Sequence, residues 1–308
     1  MSYGTIAAAL GNEKRTNTLG RKLAAYFELT KPKIAVMALL TVAAAFAIGS
    51  SFEIDTHILI ATLVGTALVA SAASASNHWI ERDLDARMPR TAERPLPSGT
   101  LGTAEALGFV VVTLVAGLIV LLSYVNVWAT FFALCTFLGY VCVYTPMKTA
   151  SSANTAVGAV AGALPVLVGW AAVEAPLRFN AAGIALTSLF LVLYLWQFPH
   201  FMAIAWLYRR DYAAGGMRML TVDEPSGKHA GRLAFRTSLA LLPISYLPFV
   251  KIPDWIYHAP VLLLGAGYAA LAWRFFRSPD DVTARRLLRY SLVYLPLWML
   301  MLVIAPKF

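Results

Sequence analysis

Between Glu105 and Lys148 the chain runs 42 residues without a charged side chain. A water-soluble fold cannot easily hide so long a stretch, but the hydrocarbon core of a bilayer accepts it, at about 20 apolar residues per helical crossing. The stretch is too long for one helix, and Ser123 to Asn126 supplies the break, so it predicts two crossings joined by a tight turn. The same rule predicts further crossings at 34–52, 57–80, 152–173, 180–208, 233–250, 255–273 and 287–305. The seventh in chain order is the most irregular, with Arg236 near its start and Pro243 and Pro248 inside. Composition agrees: 59% of the 308 residues are hydrophobic and 13% charged, against about 45–50% and about 25% in soluble domains. The expected fold is all-α, a polytopic membrane protein of about nine transmembrane helices. Residues 1–30 form an N-terminal tail, and 31–308 form one membrane domain.

Charge sets the orientation. When the N-terminus and every second loop are placed on one side, that side receives 22 of the 25 Lys and Arg residues; Arg178, Lys251 and Lys307 fall on the other. This asymmetry obeys the positive-inside rule and predicts a cytoplasmic N-terminus in a multi-pass plasma-membrane protein. The net charge of +9 is then explained by topology and anion binding, and no nucleic-acid partner is needed. The first thirty residues lack the apolar core of a signal peptide, while their basic, acid-poor composition leaves a mitochondrial presequence open. Cys135 and Cys142, seven apart on one helix face, read as small buried residues and cannot pair with each other.

Three polar motifs interrupt the apolar background, all at helix ends that open on the cytoplasmic side. The first spans residues 77–99. Asn77, Glu81 and Asp85 recur every four residues and share one helix face, with Ser74 extending it inward. Carboxylates with an amide oxygen are hard ligands suited to Mg²⁺, which commonly bridges to substrate phosphates. Asp83 points away while the helix continues. Arg90 and Arg94, with Arg82 and Arg87, supply forked donors for diphosphate or for other carboxylates. The bland alternative is a solvated helix end whose acids pair with these arginines; ligands that begin inside the membrane boundary favour function.

The second motif, Tyr144 to Lys148, carries the only charge between Glu105 and Glu174. Lys148 is either a topological anchor or a phosphate ligand. The third runs from Trp196 to Gly215, where Pro199 bends a helix and His200 follows it inside the apolar span. His200 is an interhelical hydrogen-bond partner, a haem ligand, a proton carrier or a substrate contact. Asp211, beside Arg209 and Arg210, either forms a salt bridge or completes the metal site. Gly158, Gly162 and Gly169, with Ala159 and Ala163, give a small-residue face for close helix packing.

These motifs together resemble those of the protohaem IX farnesyltransferases, a branch of the UbiA-type intramembrane prenyltransferases. The residues that carry the likeness are Asn77, Glu81, Asp83 and Asp85, then Met88, Arg90, Thr91, Arg94 and Pro95. Tyr144, Thr145 and Lys148, the 158–170 segment, and Trp196-Gln197 with Pro199-His200-Phe201 through Asp211-Tyr212 follow. The likeness runs from Lys31 to the end of the chain. It implies a central cavity open to lipid. Mg²⁺ at Asn77, Glu81, Asp85 and Asp211 would hold farnesyl diphosphate, with Arg90, Arg94, Tyr144, Lys148 and Arg209 as binding residues. Haem b would be the acceptor, contacted by His200, and haem A synthase or oxidase-assembly proteins the partners. In a eukaryote the membrane would be the mitochondrial inner one. The chain departs from the family pattern at Glu81, usually Asp, at Thr149, usually Arg, and at Arg210, usually Glu. Tyr208 and Tyr212 stand where other UbiA-type enzymes have aspartates. The alternatives are prenyl transfer to an aromatic quinone precursor and, from another class, anion transport. The latter lacks a second polar gate on the outer side.

Overall fold

The computed structural model describes residues 19–175 and 180–305; Arg178 and Lys307 of the charge tally lie outside the described residues, as do residues 1–18. No strand occurs among the described residues. Among the described residues nine long helices follow in order: α1 Pro32–Gly49, α2 Thr56–Asp85, α3 Thr103–Tyr124, α4 Val127–Ala150, α5 Asn154–Ala171, α6 Ala181–Leu207, α7 Lys228–Tyr246, α8 Trp255–Arg277 and α9 Asp281–Ile304. All but α7 are long and apolar enough to cross a membrane.

The irregular seventh segment is therefore a helix, but an amphipathic one that begins five residues before position 233. It buries Ala230, Ala234, Ser238 and Leu241 against its neighbours while Arg232 and Arg236 remain exposed. The break between α3 and α4 falls where the sequence places it, with the Asn126 side chain capping the amide of Ala129 at 2.8 Å. Cys142 corrects the sequence reading: it is exposed on α4, and only Cys135 is partly covered. Residues 19–29 are helical as well, with Ala25 and Leu29 buried and Lys22 paired to Glu105 at the start of α3.

Two apolar cores hold the bundle. One joins α6, α7, α8 and α9 around Tyr268, Phe275 and Trp298; the other joins α2, α3 and α4 around Val69, Leu121 and Ala133. Helices α1 and α5 contribute to both, through Ala45 and Phe46 on α1 and through Val166 and Val168 on α5. Lipid is as apolar as these side chains, so close van der Waals approach must do much of the work of association. The small-residue face of α5 provides that approach. Gly158 accepts the Tyr144 ring, Gly162 accepts the Gln197 amide, and Gly169 lies against the backbone carbonyl of Val42 on α1. Gln197 then donates to Ala159 O at 3.1 Å and Leu193 O at 3.0 Å, so its buried amide is satisfied.

A backbone carbonyl cannot swing aside as a side chain can. Gly169→Ala should force α1 from α5 and cost about 1–3 kcal/mol of stability, whereas Val160→Ala on the lipid-facing side of α5 should be near neutral. Thermal unfolding in detergent, followed by tryptophan fluorescence, distinguishes the two.

Candidate active site

Helix α2 continues to Asp85, five residues past its last apolar turn, and this extension builds the site. Asn77, Glu81 and Asp85 are all buried, at 1%, 4% and 1% exposure. Asp83, pointing the other way, has a side chain 79% exposed and pairs with Arg82. Carboxylates at a helix C-terminus oppose its dipole, and burying them adds a desolvation cost of several kcal/mol per ion. Each is therefore matched by a cation. Lys148 Nζ stands 2.7 Å from Glu81 Oε1, and Arg94 Nη1 stands 2.6 Å from Asp85 Oδ2. The other oxygen of Asp85, Oδ1, is buried without a hydrogen bond.

The two cations arrive by different local devices. Arg94 is turned back by the 86–102 loop, which Thr91 ties to the helix end by donating to Asp85 O at 2.9 Å. Lys148 depends on a wide turn in α4. Pro146 cannot donate a backbone hydrogen bond, and residues Gly139–Tyr144 adopt the π-helical register ahead of it. Thr145 Oγ1 satisfies Tyr140 O at 2.9 Å. The turn aims Tyr144 and Lys148 into the bundle, where Lys148 Nζ lies 4.8 Å from the centroid of the Tyr144 ring.

Three more residues join the site; sequence reasoning gave no role to Lys31 or His78 and named Tyr212 only as a departure from related enzymes. Lys31, named from the sequence only as the start of the family likeness, donates to Asn77 Oδ1 at 2.6 Å. Its backbone is left-handed, φ 46°, a strained state for a residue preceding proline. Burial, with Lys148 and Arg94 nearby, lowers its amine to about 7. His78 is buried beside Asn77 with both ring nitrogens unpartnered, among the charges of Lys31, Arg94 and Lys148. Its signal was available: at 100° per residue it falls on the arc of Ser74, Glu81 and Asp85. Tyr212 is a phenol whose ionisation burial pushes up, with Lys148, Arg90 and Glu81 among its electrostatic neighbours.

The remaining sequence-stated candidates divide. Arg90 Nε lies 3.7 Å from Asp211 Oδ2, and its guanidinium stacks 4.5 Å from the Tyr208 ring centroid. This links the 86–102 loop to the segment after α6. Asp211 thus borders the site through an arginine, and among the described residues no three acid, histidine or cysteine side chains converge as a ready metal cage. Arg209 is drawn elsewhere: it bonds Asp281 at 3.1 Å and Trp206 O at 2.6 Å, away from Glu81 and Asp85. His200 stands apart on α6, bonded through Nδ1 to Ser291 Oγ at 2.8 Å.

Two buried acids, three close cations and a carboxylate oxygen without a hydrogen bond thus meet at the end of α2. The pattern describing the UbiA prenyltransferase family matches residues 38–300, and the chain belongs to that family. It is similar to the protoheme IX farnesyltransferase of Rhodopirellula baltica, 40% identical over 291 residues that span 90% of this chain and 98% of that one. The mitochondrial protoheme IX farnesyltransferase of Arabidopsis thaliana is 33% identical, over 96% of this chain and 71% of its own. Among solved structures, a digeranylgeranylglyceryl phosphate synthase superposes with TM-score 0.75 at 20% identity, covering 92% of this chain and 98% of that one. A UbiA homolog from Archaeoglobus fulgidus bound to GPP and Mg²⁺ superposes with TM-score 0.64 at 14% identity, covering 91% and 99%.

Removing one member of a buried pair leaves the other charge uncompensated, at about 3–5 kcal/mol. Arg94→Gln should destabilise the protein by that amount, and Asp85→Asn combined with it should recover most of the loss. Asp83→Asn, exposed, should stay within about 0.5 kcal/mol of the parent. Denaturant unfolding of the four proteins measures this.

Proposed function

We propose that this chain transfers the farnesyl group of farnesyl diphosphate to a vinyl group of haem b, giving haem O, in the plasma membrane with its N-terminus cytoplasmic or, in a eukaryote, in the mitochondrial inner membrane. The observation that carries the reading is the charge-matched cluster at the end of α2, in which Lys148 and Arg94 hold Glu81 and Asp85. The similarity to protoheme IX farnesyltransferases over nine-tenths of the chain supports the choice of prenyl donor and acceptor.

The donor set fits a hard divalent ion. Asn77, Glu81 and Asp85 offer oxygen only, and the buried Asp85 Oδ1 has no partner of its own. These residues, with Asp211 approaching from the other side, would hold Mg²⁺, which when bound supplies a Lewis acid for the leaving diphosphate. The chain's own part is an exchange of partners. Lys148 and Arg94 would turn from the carboxylates, and Lys31 from the Asn77 amide oxygen, to the diphosphate oxygens, leaving the carboxylate oxygens free to hold the ion. Both anions remain compensated throughout. Tyr212 stays protonated and donates through its hydroxyl, and Arg90 carries charge from the loop side.

The C1–O bond of farnesyl diphosphate breaks with its electron pair on the diphosphate, which these donors stabilise as charge develops. The π pair of the haem vinyl group forms the new carbon–carbon bond. Water then adds to the resulting cation, and its proton passes to the departing diphosphate, leaving a hydroxyethylfarnesyl group. The apolar walls keep bulk water from the allylic cation before the vinyl group reaches it. His200 contacts the acceptor. Haem A synthase or oxidase-assembly proteins would receive the product.

Glu81→Gln and Asp85→Asn should each lower haem O formation by at least about a hundredfold in membranes containing normally inserted protein, on the scale of losing a preorganised charge contact. Full activity in both would remove the metal-site assignment. Membranes given labelled farnesyl diphosphate with haem b should yield labelled haem O; label entering 4-hydroxybenzoate in its place would transfer the reading to a quinone precursor.

A further inference from the structure

His200 lies seven residues, about 10 Å, inside the end of α6, among apolar helices and outside the charged cluster. Its Nδ1 is 2.8 Å from Ser291 Oγ on α9, and the Ser291 hydroxyl is 2.6 Å from Leu288 O. A hydroxyl has one hydrogen to give, and a carbonyl can only accept, so the Ser291 proton is committed to Leu288. Ser291 Oγ must then accept from His200 Nδ1–H, which excludes the Nε2–H tautomer, so the neutral ring carries its lone pair on Nε2. Among the described residues no hydrogen bond reaches Nε2.

The ring's orientation is fixed as firmly as its tautomer. Trp196 stacks on the imidazole, centroids 4.8 Å apart and planes 22° from parallel. The Trp196 indole donates to Ser291 O at 2.8 Å, and Tyr268 donates its hydroxyl to Trp196 O at 3.1 Å. An interhelical hydrogen bond alone would account for Nδ1. It would not account for a second nitrogen that is oriented and meets no hydrogen-bond partner among the described residues. An imidazole that donates from one nitrogen to a fixed oxygen and presents the other bare is the arrangement of a metal-ligating histidine.

We propose that Ser291, with Trp196, is a positioning residue that holds His200 so that Nε2 ligates the iron of the tetrapyrrole acceptor. The inference rests on the reading that the acceptor is a haem, and it adds the contact that would fix the acceptor's position in the bundle. No bond of the acceptor changes in this contact; the imidazole lone pair occupies an axial position on iron.

The test is haem b binding to the full chain in nanodiscs, without farnesyl diphosphate, read by optical and electron paramagnetic resonance spectra. The parent should give an imidazole-ligated spectrum that His200→Ala abolishes and added imidazole restores. Ser291→Ala should weaken haem binding by ten- to a hundredfold and alter the axial-ligand signature, while Ser291→Thr, which keeps the hydroxyl, should preserve both. Iron-free protoporphyrin should bind parent and His200→Ala alike. An unchanged spectrum in His200→Ala, or equal behaviour of the Ala and Thr variants at Ser291, would overturn the proposal. A parent that makes haem O without imidazole ligation would overturn it and leave the proposed function standing. An imidazole-ligated haem that never receives a farnesyl group would support the iron contact and count against that function.

Discussion

The pairing of Glu81 with Lys148 and Asp85 with Arg94 is the interaction on which the polar half of this protein depends. A helix that ends in two buried carboxylates is unstable by itself, because its dipole and the low dielectric both oppose the charges. Every irregular segment nearby supplies a compensating cation. The 86–102 loop folds back to bring Arg94, the π turn ahead of Pro146 turns Lys148 inward, and the left-handed backbone at Lys31 directs its amine to Asn77. The loop, α4 and the start of α1 thus take their local geometry from one electrostatic demand.

The same pairing explains how a stable resting site can also be a reactive one. Carboxylates already coordinated by cations are satisfied but exchangeable, because a diphosphate and a divalent ion can take over both sets of partners without leaving a bare charge. Asp85 Oδ1, buried without a hydrogen bond, is the oxygen that the proposed exchange would bring to the ion. A well-packed apolar replacement would often be equally stable or more so, which supports the proposal that the pairs serve the reaction.

Much of this was legible in the chain. Charge-free spans located α1 to α6, α8 and α9 because the bilayer imposes a length and a composition together. The i, i+4 spacing of Asn77, Glu81 and Asp85 gave their common face, since the helix does continue to Asp85. What the sequence hid depended on distant partners or special backbone. Helix α7 begins before position 233 because its first turns are amphipathic, and a search for uncharged runs cannot see them. Lys31 acts through an unusual φ angle. Arg209 reads as a site cation until Asp281, 72 residues away, claims it. His78 was overshadowed by its acidic neighbours, although helix geometry alone places it on their face.

Partner exchange makes metal and diphosphate thermodynamically dependent on each other, and by linkage the dependence must be the same from either side. The most direct measurement is calorimetric binding of a non-ionisable farnesyl thiodiphosphate across a range of Mg²⁺ concentrations, in the parent protein. Saturating Mg²⁺ should tighten the analogue at least about tenfold, a coupling of about 1.4 kcal/mol, and the analogue should tighten Mg²⁺ by the same factor. Equal affinity for the analogue with and without Mg²⁺ would contradict partner exchange.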